Sequence, residues 1–269
     1  MNQTLYELNS PPDPLIPFRL YRNVRYVLGY PPNWHEELEL LYFLTGTGSV
    51  RYGNLDIPVS AGDLIVANSN VIHHIDRFEN LSYHCIILEQ QFCSSNSIPI
   101  ETLFFQEKIR DSAISSAFLQ ILEAYDLHLS ASCPYGAVEV RAKVLELLYL
   151  LCRDHLAQHL TQTNSTRSDL VKKVMQYIRK NYARPITMDD ISRHTCTSKA
   201  HLSREFKLMT RRTIIDTLIQ IRCEEARQLI TQGTPIYIAA SACGFENRSY
   251  FSRTFRKFYQ TTPSSFLPK

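Results

Sequence analysis

A short pattern that combines a hydroxyl, two positive charges and an aromatic ring occurs twice in the chain. Residues 201–207 read HLSREFK and residues 250–256 read YFSRTFR, so that Ser-Arg-x-Phe-basic recurs 49 positions later. On a helix, Leu202 and Phe206 share one face and can anchor it, while Arg204 points elsewhere. Arginine can hydrogen-bond guanine bidentately or clamp a phosphate. The repeat therefore indicates a nucleic-acid contact made twice.

Each copy of the pattern stands in the same setting, after a short helix and a tight turn. Thr187 and Asp190 have the spacing of a capping box, Ser198 is a candidate N-cap before the first copy, and Asn247 opens the second. This arrangement predicts two helix-turn-helix motifs. Two recognition helices on one rigid bundle could read two major-groove segments about 34 Å apart.

The charge is divided unevenly along the chain. Residues 1–165 hold 10 Lys and Arg against 18 Asp and Glu, a net charge of −8, whereas residues 166–269 hold 19 against 8, a net charge of +11. A basic half of this kind suits a polyanion, and double-stranded DNA is the first candidate because phosphate neutralisation contributes strongly to affinity. Charge alone also leaves a merely basic, solvated surface open.

A second set of reactive side chains lies in the acidic half. His35 and Glu39 are four residues apart, and His73 follows a Gly-Asp turn. Polar groups of this kind inside an apolar barrel would hydrogen-bond the hydroxyls of a small molecule, and an aromatic ring could stack on a sugar face. The candidate ligand-binding residues are Asn33, Trp34, His35, Glu39 and His73.

The elements that must position these groups fall into two predicted domains. Short apolar runs between residues 18 and 92, separated by turn signals such as GTG, GN and AGD, predict an all-β sandwich or barrel. Residues 101–128 and 135–160 read as two helices, and a polar linker from Thr161 to Ser168 follows. The expected fold is α+β, with domains at 1–165 and 166–269, the second all-helical.

The second of those helices, 135–160, carries an apolar stripe at three- and four-residue spacing. The stripe would pack against its own domain or face a second copy in a homodimer. Its members are Val138, Ala142, Leu145, Leu148, Leu151 and Cys152.

The C-terminal region resembles the DNA-binding domain of AraC/XylS-type transcription regulators. The similarity is carried by YIRKNY, ITMDDIS, HLSREFK, IRCEEARQLI and, most specifically, IAASACGFENRSYFSRTFRKFYQTTPSSF. The family often has Gly where Arg211 and Gln260 stand, and Ala where Ser192 stands. The resemblance implies a transcription regulator that acts as an activator and contacts RNA polymerase.

The same resemblance implies which residues face DNA. The base-facing positions would be Ala200, Ser203, Arg204, Arg248, Ser249, Ser252 and Arg253. Phosphate positioning would fall to Lys207, Arg256 and Lys257.

The N-terminal pattern resembles the cupin-like sensor barrel of the same regulators. Metal-binding cupins carry His-x-His-x-x-x-Glu and a further His, whereas Asn33 stands at the first His position here. His35, Glu39 and His73 could still hold a divalent metal, but we expect no metal and no cofactor. The alternatives to a ligand-responsive regulator are a constitutive DNA-binding protein with a vestigial barrel and a metal-dependent cupin enzyme.

Other features exclude further classes of protein. Seven cysteines without a CxxC pair do not form a zinc ribbon or a disulfide framework, so we expect buried, reduced thiols. No apolar run approaches the roughly 20 residues of a membrane span. The N-terminus lacks the pattern of a secretory signal, and we expect a cytoplasmic protein that is not an enzyme.

Overall fold

The computed structural model describes residues 15–16, 18–25, 31–130, 134–157 and 165–268. We call residues 18–157 the sheet unit and residues 165–268 the helical unit. The predicted linker lies largely outside the described residues, and the predicted domain boundary near residue 165 stays a prediction.

The sheet unit is built on one six-stranded antiparallel sheet. The strands are β1 (Phe18–Arg25), β2 (Leu38–Tyr52), β3 (Leu55–Ser60), β4 (Leu64–Ala67), β5 (His73–Leu88) and β6 (Lys108–Ile109). Their order is β1-β5-β2-β4-β6, and β3 pairs with β2. The two longest strands, β2 and β5, pair from Leu38↔Leu88 to Tyr52↔His73.

One expected turn is absent from this sheet. The GTG segment was expected to separate two strands, but it lies inside β2, which continues through it. Gly46 has a φ of 78°, and a Cβ atom on it would lie 2.3 Å from the Glu79 carbonyl oxygen of β5. The glycine therefore permits a close approach of two backbones within the ladder, and local sequence cannot distinguish this from a turn.

Three helices belong to the sheet unit: α1 (Gln90–Ser95), α2 (Ser112–Leu129) and α3 (Gly136–Asp154). The first predicted helix begins later than residue 101, because the Asp111 carboxylate accepts the Ala113 amide at 2.7 Å and starts α2 there. The buried face of α3 includes Val140, Val144, Leu147 and Leu151. The predicted stripe is only partly buried, because Leu148 and Leu151 lie in the core whereas Val138 is 64% exposed.

Both faces of the sheet are covered by apolar side chains. One cluster, which includes Leu40, Ile86 and Phe118, joins the sheet to α2 and α3. A second, which includes Phe43, Ile65 and Tyr83, fills the opposite face. Glu39 on β2 is a buried charged group in this otherwise apolar surrounding.

The helical unit contains six α-helices among its described residues. They are α4 (Ser165–Asn181), α5 (Met188–Thr195), α6 (Lys199–Thr210), α7 (Ile214–Thr231), α8 (Ile236–Ala242) and α9 (Arg248–Tyr259), and a 3₁₀ turn follows at Pro263–Phe266. The expected caps are confirmed: Thr187 and Asp190 form a capping box, and the Ser198 and Asn247 side chains accept amides of α6 and α9. The α+β fold with a helical C-terminal region is confirmed.

The two units pack against each other. Ile72, in the connection between β4 and β5, is 1% exposed and belongs to the apolar core of the helical unit, beside which Trp34 also packs. Arg51 of β2 reaches the end of α6. The helical unit is therefore docked against strand ends and loops of the sheet unit near Arg51, Ile72 and Trp34.

Most of the described cysteines are buried, as the sequence predicts. Cys85, Cys93, Cys223 and Cys243 are free and buried, but Cys196 is exposed, because it forms the left-handed C-cap of α5. Cys133 lies outside the described residues. Among the residues that the structure describes, no helix combines the length and apolar composition of a membrane span.

Candidate DNA interface and effector site

The two recognition helices, α6 and α9, each bury an aromatic anchor and expose a polar face. Leu202 and Phe206 of α6 are each 1% exposed, and Phe251 and Phe255 of α9 are equally buried. All ten predicted DNA-contacting residues are exposed, so each helix can present its polar face to a groove. They are Ala200, Ser203, Arg204, Lys207, Arg248, Ser249, Ser252, Arg253, Arg256 and Lys257.

The connecting helix α7 sets the distance between the two motifs. Its 18 residues span roughly 27 Å at 1.5 Å per residue. Within it, Glu224 accepts from Arg227 at 2.6 Å and from the Tyr259 hydroxyl of α9. This buried network ties the C-terminal end of α9 to α7, and fixes the second recognition helix on the bundle.

The two recognition helices end in the same backbone conformation. Arg211 after α6 and Gln260 after α9 both have positive φ, 57° and 53°. Glycine reaches this left-handed region without cost, which explains the glycine often found at these positions in the resembling family. In this chain a residue other than glycine adopts the left-handed conformation at both positions.

Arg204 has an additional partner on its own helix. Its Nε lies 3.0 Å from Glu205 Oε1, and its Nη2 lies 2.9 Å from His201 Nδ1. Glu205 is 2% exposed and also pairs with Arg167 of α4 at 3.1 Å. Glu205 was not anticipated from the sequence, because nothing in its position distinguishes it from an exposed helical glutamate.

Three of the predicted ligand-binding residues converge on one oxygen atom. Glu39 Oε2 lies 2.8 Å from His35 Nε2 and 3.0 Å from His73 Nε2. The other carboxylate oxygen, Oε1, accepts the Cys85 thiol at 3.3 Å. Cys85 was missed as a site residue, although its place in β5 opposite β2 gives it the same neighbours. We call His35, Glu39, His73 and Cys85 the effector cluster.

The two imidazoles face hydrogen-bond acceptors on both sides. His35 Nδ1 lies 3.2 Å from the Glu37 carbonyl oxygen, and His73 Nδ1 lies 2.9 Å from the Val71 carbonyl oxygen. Carbonyl oxygens and ionised carboxylate oxygens only accept hydrogen bonds. The four contacts are therefore all hydrogen bonds only if both nitrogens of both rings carry a proton. Two neutral rings would leave two contacts without a proton. The cluster therefore needs extra positive charge or an added hydrogen-bond donor.

The pKa values of the cluster follow from burial and charge. Burial opposes ionisation of Glu39, but the hydrogen bonds from His35 and His73 outweigh it, and its pKa is lowered. Burial likewise opposes the charged form of His35, but the Glu39 carboxylate outweighs it and raises the pKa of His35. Burial, aided by the Glu39 charge, raises the pKa of the Cys85 thiol well above its ordinary value. The carboxylate is thus ionised and the thiol protonated at neutral pH.

The cluster offers two kinds of chemistry. One ligand atom from each of His35, Glu39 and His73 lies within 4.8 Å of the others, and such a set of nitrogen and oxygen donors can hold a divalent cation. A ligand hydroxyl could instead donate to Glu39 and accept from a histidine. Both arrangements supply the positive charge or the donor that the cluster needs.

Asn33 and Trp34 take different positions from the other predicted ligand residues. Asn33 pairs with His73 through two backbone hydrogen bonds of 3.1 and 2.9 Å. Its side-chain oxygen accepts from Arg179 of α4 at 3.2 Å. Trp34 packs against the core of the helical unit. These two residues line the contact between units, directly beside the effector cluster.

A shallow groove of about 640 Å³ lies beside α2 of the sheet unit. It is lined by Tyr42 of β2 and by hydroxyl and carboxylate groups of α2, such as Ser112, Ser116 and Glu123. The charged residues that line this groove are exposed or half-buried, so it lacks a buried charged group that a ligand would complete. The effector cluster is therefore the stronger candidate for a specific polar ligand.

Comparisons with known proteins agree with this architecture. A family model described as an AraC-like ligand binding domain matches residues 18–148, and one described as a helix-turn-helix domain matches residues 191–269. The HTH-type transcriptional regulator YbfI of Bacillus subtilis (strain 168) is 25% identical over 248 residues, which cover 88% of this chain and 87% of YbfI. The Msm operon regulatory protein of Streptococcus mutans is 20% identical, over 88% of this chain and 86% of that protein.

A solved structure shares the fold over nearly the whole length. The crystal structure of ToxT from Vibrio cholerae O395 superposes with a TM-score of 0.55 and 14% identity, over 93% of this chain and 96% of ToxT. The likeness to ToxT establishes the fold, and the two family models together account for both units. The chain belongs to the AraC family of helix-turn-helix transcriptional regulators.

Proposed function

We propose that this regulator binds a small-molecule effector at the effector cluster and reads a two-part DNA site with α6 and α9. The observation that carries the effector half is the convergence of His35 and His73 on one oxygen of Glu39. The DNA half is supported by two helices with the same buried anchors and the same exposed Ser-Arg pair.

The basic charge of the helical unit supports the DNA contact. Residues 166–269 carry a net charge of +11. Lys207 and Arg256 stand exposed at the same place in the two recognition helices, and Lys257 is exposed beside Arg256. Each phosphate contact releases counterions, so affinity should fall steeply with salt. An operator can be obtained by in vitro selection with the full chain. The slope of log affinity against log salt concentration should fall by about one in Lys257→Ala if this residue contacts a phosphate, and an unchanged slope would remove it from the interface.

The effector is proposed to be a polyhydroxylated molecule such as a sugar. Its hydroxyls can both donate to Glu39 and accept from a protonated histidine, which neutral apolar molecules cannot do. Binding to the folded chain alone raises stability by about 2.7 kcal/mol at 100 times the dissociation constant. A thermal-shift screen of the full chain against sugars, sugar phosphates, other metabolites and divalent metals therefore tests the site.

The screen distinguishes the alternatives through one variant. A hit that disappears in His35→Gln places the ligand at the effector cluster. A hit that persists in this variant places the ligand elsewhere, for example in the groove beside α2. A bound metal with turnover of a substrate would indicate the cupin-type enzyme. DNA affinity that is indifferent to every hit would indicate a constitutive regulator.

We further propose that the chain forms a homodimer through α3, within the predicted segment 135–160. An apolar stripe that shares four members with the predicted one runs along α3 at alternating spacings of four and three residues, which is the pattern of a coiled-coil seam. It consists of Val138, Ala142, Leu145, Tyr149 and Cys152. Val138 is 64% exposed and Tyr149 59% exposed, whereas the face with Val144 and Leu151 is buried against the same chain. Leu145 and Cys152 of this stripe are half-buried against the sheet unit, and a symmetric copy of α3 would cover the exposed Val138 and Tyr149.

Activation of transcription, contact with RNA polymerase and a cytoplasmic location are also proposed, on the grounds of family membership alone. A promoter fused to a reporter gene, with the selected operator upstream, tests the direction of regulation. Higher expression with the regulator present supports an activator, and lower expression indicates a repressor.

A further inference from the structure

One buried side chain of the sheet unit reaches the C-terminal end of the first recognition helix. Arg51 of β2 is 1% exposed. Its Nε donates to the Met209 carbonyl oxygen at 3.2 Å, and its Nη2 donates to the Leu208 carbonyl oxygen. The last carbonyls of a helix lack partners within the helix and form the negative end of its dipole, so a guanidinium suits them. A residue of one unit thus caps a helix of the other.

A second contact closes the same junction from the opposite side. Asp56 of β3 accepts Arg51 Nη1 at 3.0 Å with one oxygen and Arg211 Nη2 at 2.9 Å with the other. Arg211 is the residue that holds the left-handed position after α6. Its side chain therefore makes a contact between the units that a glycine at this position could not make.

The second recognition helix ends without such help. Gln260 occupies the equivalent left-handed position after α9, and its side-chain amide donates to the Lys257 carbonyl oxygen of the same helix at 3.2 Å. The helical unit thus supplies its own cap for α9, whereas α6 receives its cap from the sheet unit. Two helices of similar sequence differ in the unit that holds their C-terminal end.

The junction holds α6 without covering its polar face. Ser203, Arg204 and Lys207 remain exposed while Arg51 is buried at the end of the helix. Apolar contacts flank the polar junction: Ile72 lies in the core of the helical unit, and the Met209 side chain lies close to Gly53, where a Cβ atom would be 4.0 Å from its terminal methyl group. The docked arrangement therefore fixes the helix and still leaves it available to DNA.

We propose that Arg51, with Asp56 and Arg211, positions α6 for DNA recognition, so that the sheet unit takes part in reading one half of the operator. The proposal rests on α6 and α9 being the DNA-reading helices, as proposed above. Without Arg51, the C-terminal end of α6 would lose its cap and the contact that fixes it to the sheet unit. The C-terminal end of α9 would keep its own cap, which Gln260 supplies within the helical unit. The effect on DNA must then be confined to one half-site.

The first test measures half-site specificity with the full chain on the selected operator. Arg204→Ala identifies the base pairs read by α6, and Arg253→Ala those read by α9. A substituted base pair in either half should weaken wild-type binding by about tenfold. In Arg51→Ala, the penalty in the α6 half should fall to about twofold, while the penalty in the α9 half stays near tenfold. Arg51→Lys should restore part of the α6 penalty.

Two matched controls accompany this test. Arg77→Ala removes an exposed arginine of the same sheet unit and should change neither half. Arg211→Gly and Gln260→Gly relieve the same backbone position after α6 and α9, but only the first breaks a contact between the units. Arg211→Gly should therefore act like Arg51→Ala on the α6 half, and Gln260→Gly should leave the α6 half unchanged.

A second measurement needs no DNA. In hydrogen exchange, the amides of residues 208–212 should exchange about tenfold faster in Arg51→Ala, and those of 257–261 should stay unchanged. Equal acceleration in both segments, or equal loss of specificity in both half-sites, would reduce Arg51 to a general stability residue and overturn the proposal. No change in either measurement would overturn it as well. If Arg204→Ala and Arg253→Ala themselves left specificity intact, the proposed DNA reading would fail instead.

Discussion

Arg204 and Arg253 occupy equivalent positions on the two recognition helices, but Arg204 lies beside a buried carboxylate, 3.0 Å from Glu205 Oε1. The corresponding neighbour of Arg253 is Thr254, which carries no charge. DNA must draw Arg204 away from Glu205, or share it, before the guanidinium can pair with a base. At the corresponding position in α9, Arg253 has no charged side chain to leave.

We therefore expect the two arginines to contribute unequally to DNA binding. Arg253→Ala should weaken specific binding by about 1–3 kcal/mol and relax the preference at one base pair. Arg204→Ala should cost less, because part of its interaction with DNA replaces the ion pair with Glu205. Titrations of the selected operator by fluorescence anisotropy give both values. A larger loss in Arg204→Ala than in Arg253→Ala would show that Glu205 prepares Arg204 for DNA instead of competing for it.

Asp63 should make the sheet unit sensitive to acid. Its fully buried carboxylate pairs with Arg110 at 2.8 Å and Lys108 at 2.9 Å, and burial, which opposes ionisation, is outweighed by these partners, so the pKa of Asp63 is lowered. Because the pKa of Asp63 is lower in the folded chain than in the unfolded chain, its ionisation stabilises the fold above the ordinary value of 3.8. This stabilisation is lost as the pH falls through the pKa of the folded chain. Asp63→Asn should cost about 2–3 kcal/mol at pH 7 and flatten the loss below pH 4. Urea titrations from pH 3 to 7 measure this. A parallel acid profile in the variant would contradict the assignment.

The effector cluster should contribute most to the stability of the fold at low pH and lose that contribution as the pH rises, which is the reverse of the behaviour expected for Asp63. The folded pKa of His35 is raised above 6.5, so its contribution is complete below that value and is lost as pH rises through the folded pKa. Glu39→Gln removes the charge that raises this pKa. The variant should lose about 1.5–3 kcal/mol near pH 5.5 and less at pH 8, which urea titrations at each pH would measure. The exposed Glu79→Gln serves as the control, and an equal loss at both pH values would contradict the ionised cluster.

The exposed stripe of α3 should control the oligomeric state. Tyr149 is 59% exposed, so Tyr149→Glu should leave the folded chain intact while its charge opposes burial between two copies. Light scattering should then give a mass near 31.1 kDa, against about twice that for the wild type. Ala113→Glu adds the same charge at an exposed position of α2 and should stay dimeric. A dimer that persists in Tyr149→Glu would move the interface away from this stripe.

The helical unit could be predicted closely from the sequence, because its determinants are local. The Thr187 capping box, the Ser198 and Asn247 caps, and the apolar spacing of Leu202 and Phe206 all act within a few residues of one another. Each cap formed at the expected residue. Helical spacing alone also separated the exposed arginines from the buried aromatic rings.

The contacts between the units could not be predicted in this way. Arg51 meets Leu208 and Met209 across more than 150 positions of sequence, and in the pattern of β2 it reads as an ordinary exposed charge. The resemblance to the cupin-like barrel placed His35, Glu39 and His73 in one set, and the structure brings their side chains together. The contact of the Cys85 thiol with Glu39 could not be predicted, because strand pairing decides which side chain of β5 approaches Glu39. The turn expected at Gly46 failed for a related reason, since the backbone of β5 occupies the space that a side chain would need.

The three consecutive residues 72–74 each contact a different part of the protein. Ile72 belongs to the core of the helical unit, His73 bonds Glu39, and His74 pairs across the sheet with Arg51. Along an extended strand these side chains alternate between two sides, only about 3.3 Å apart. A substitution at His73 that moves the backbone would also move Ile72 and His74, and with them the contact between the units. His35 stands in the same situation, because its neighbour Trp34 packs against the core of the helical unit. In the proposed effector site, both histidines thus couple the ligand contacts to the docking of the two units.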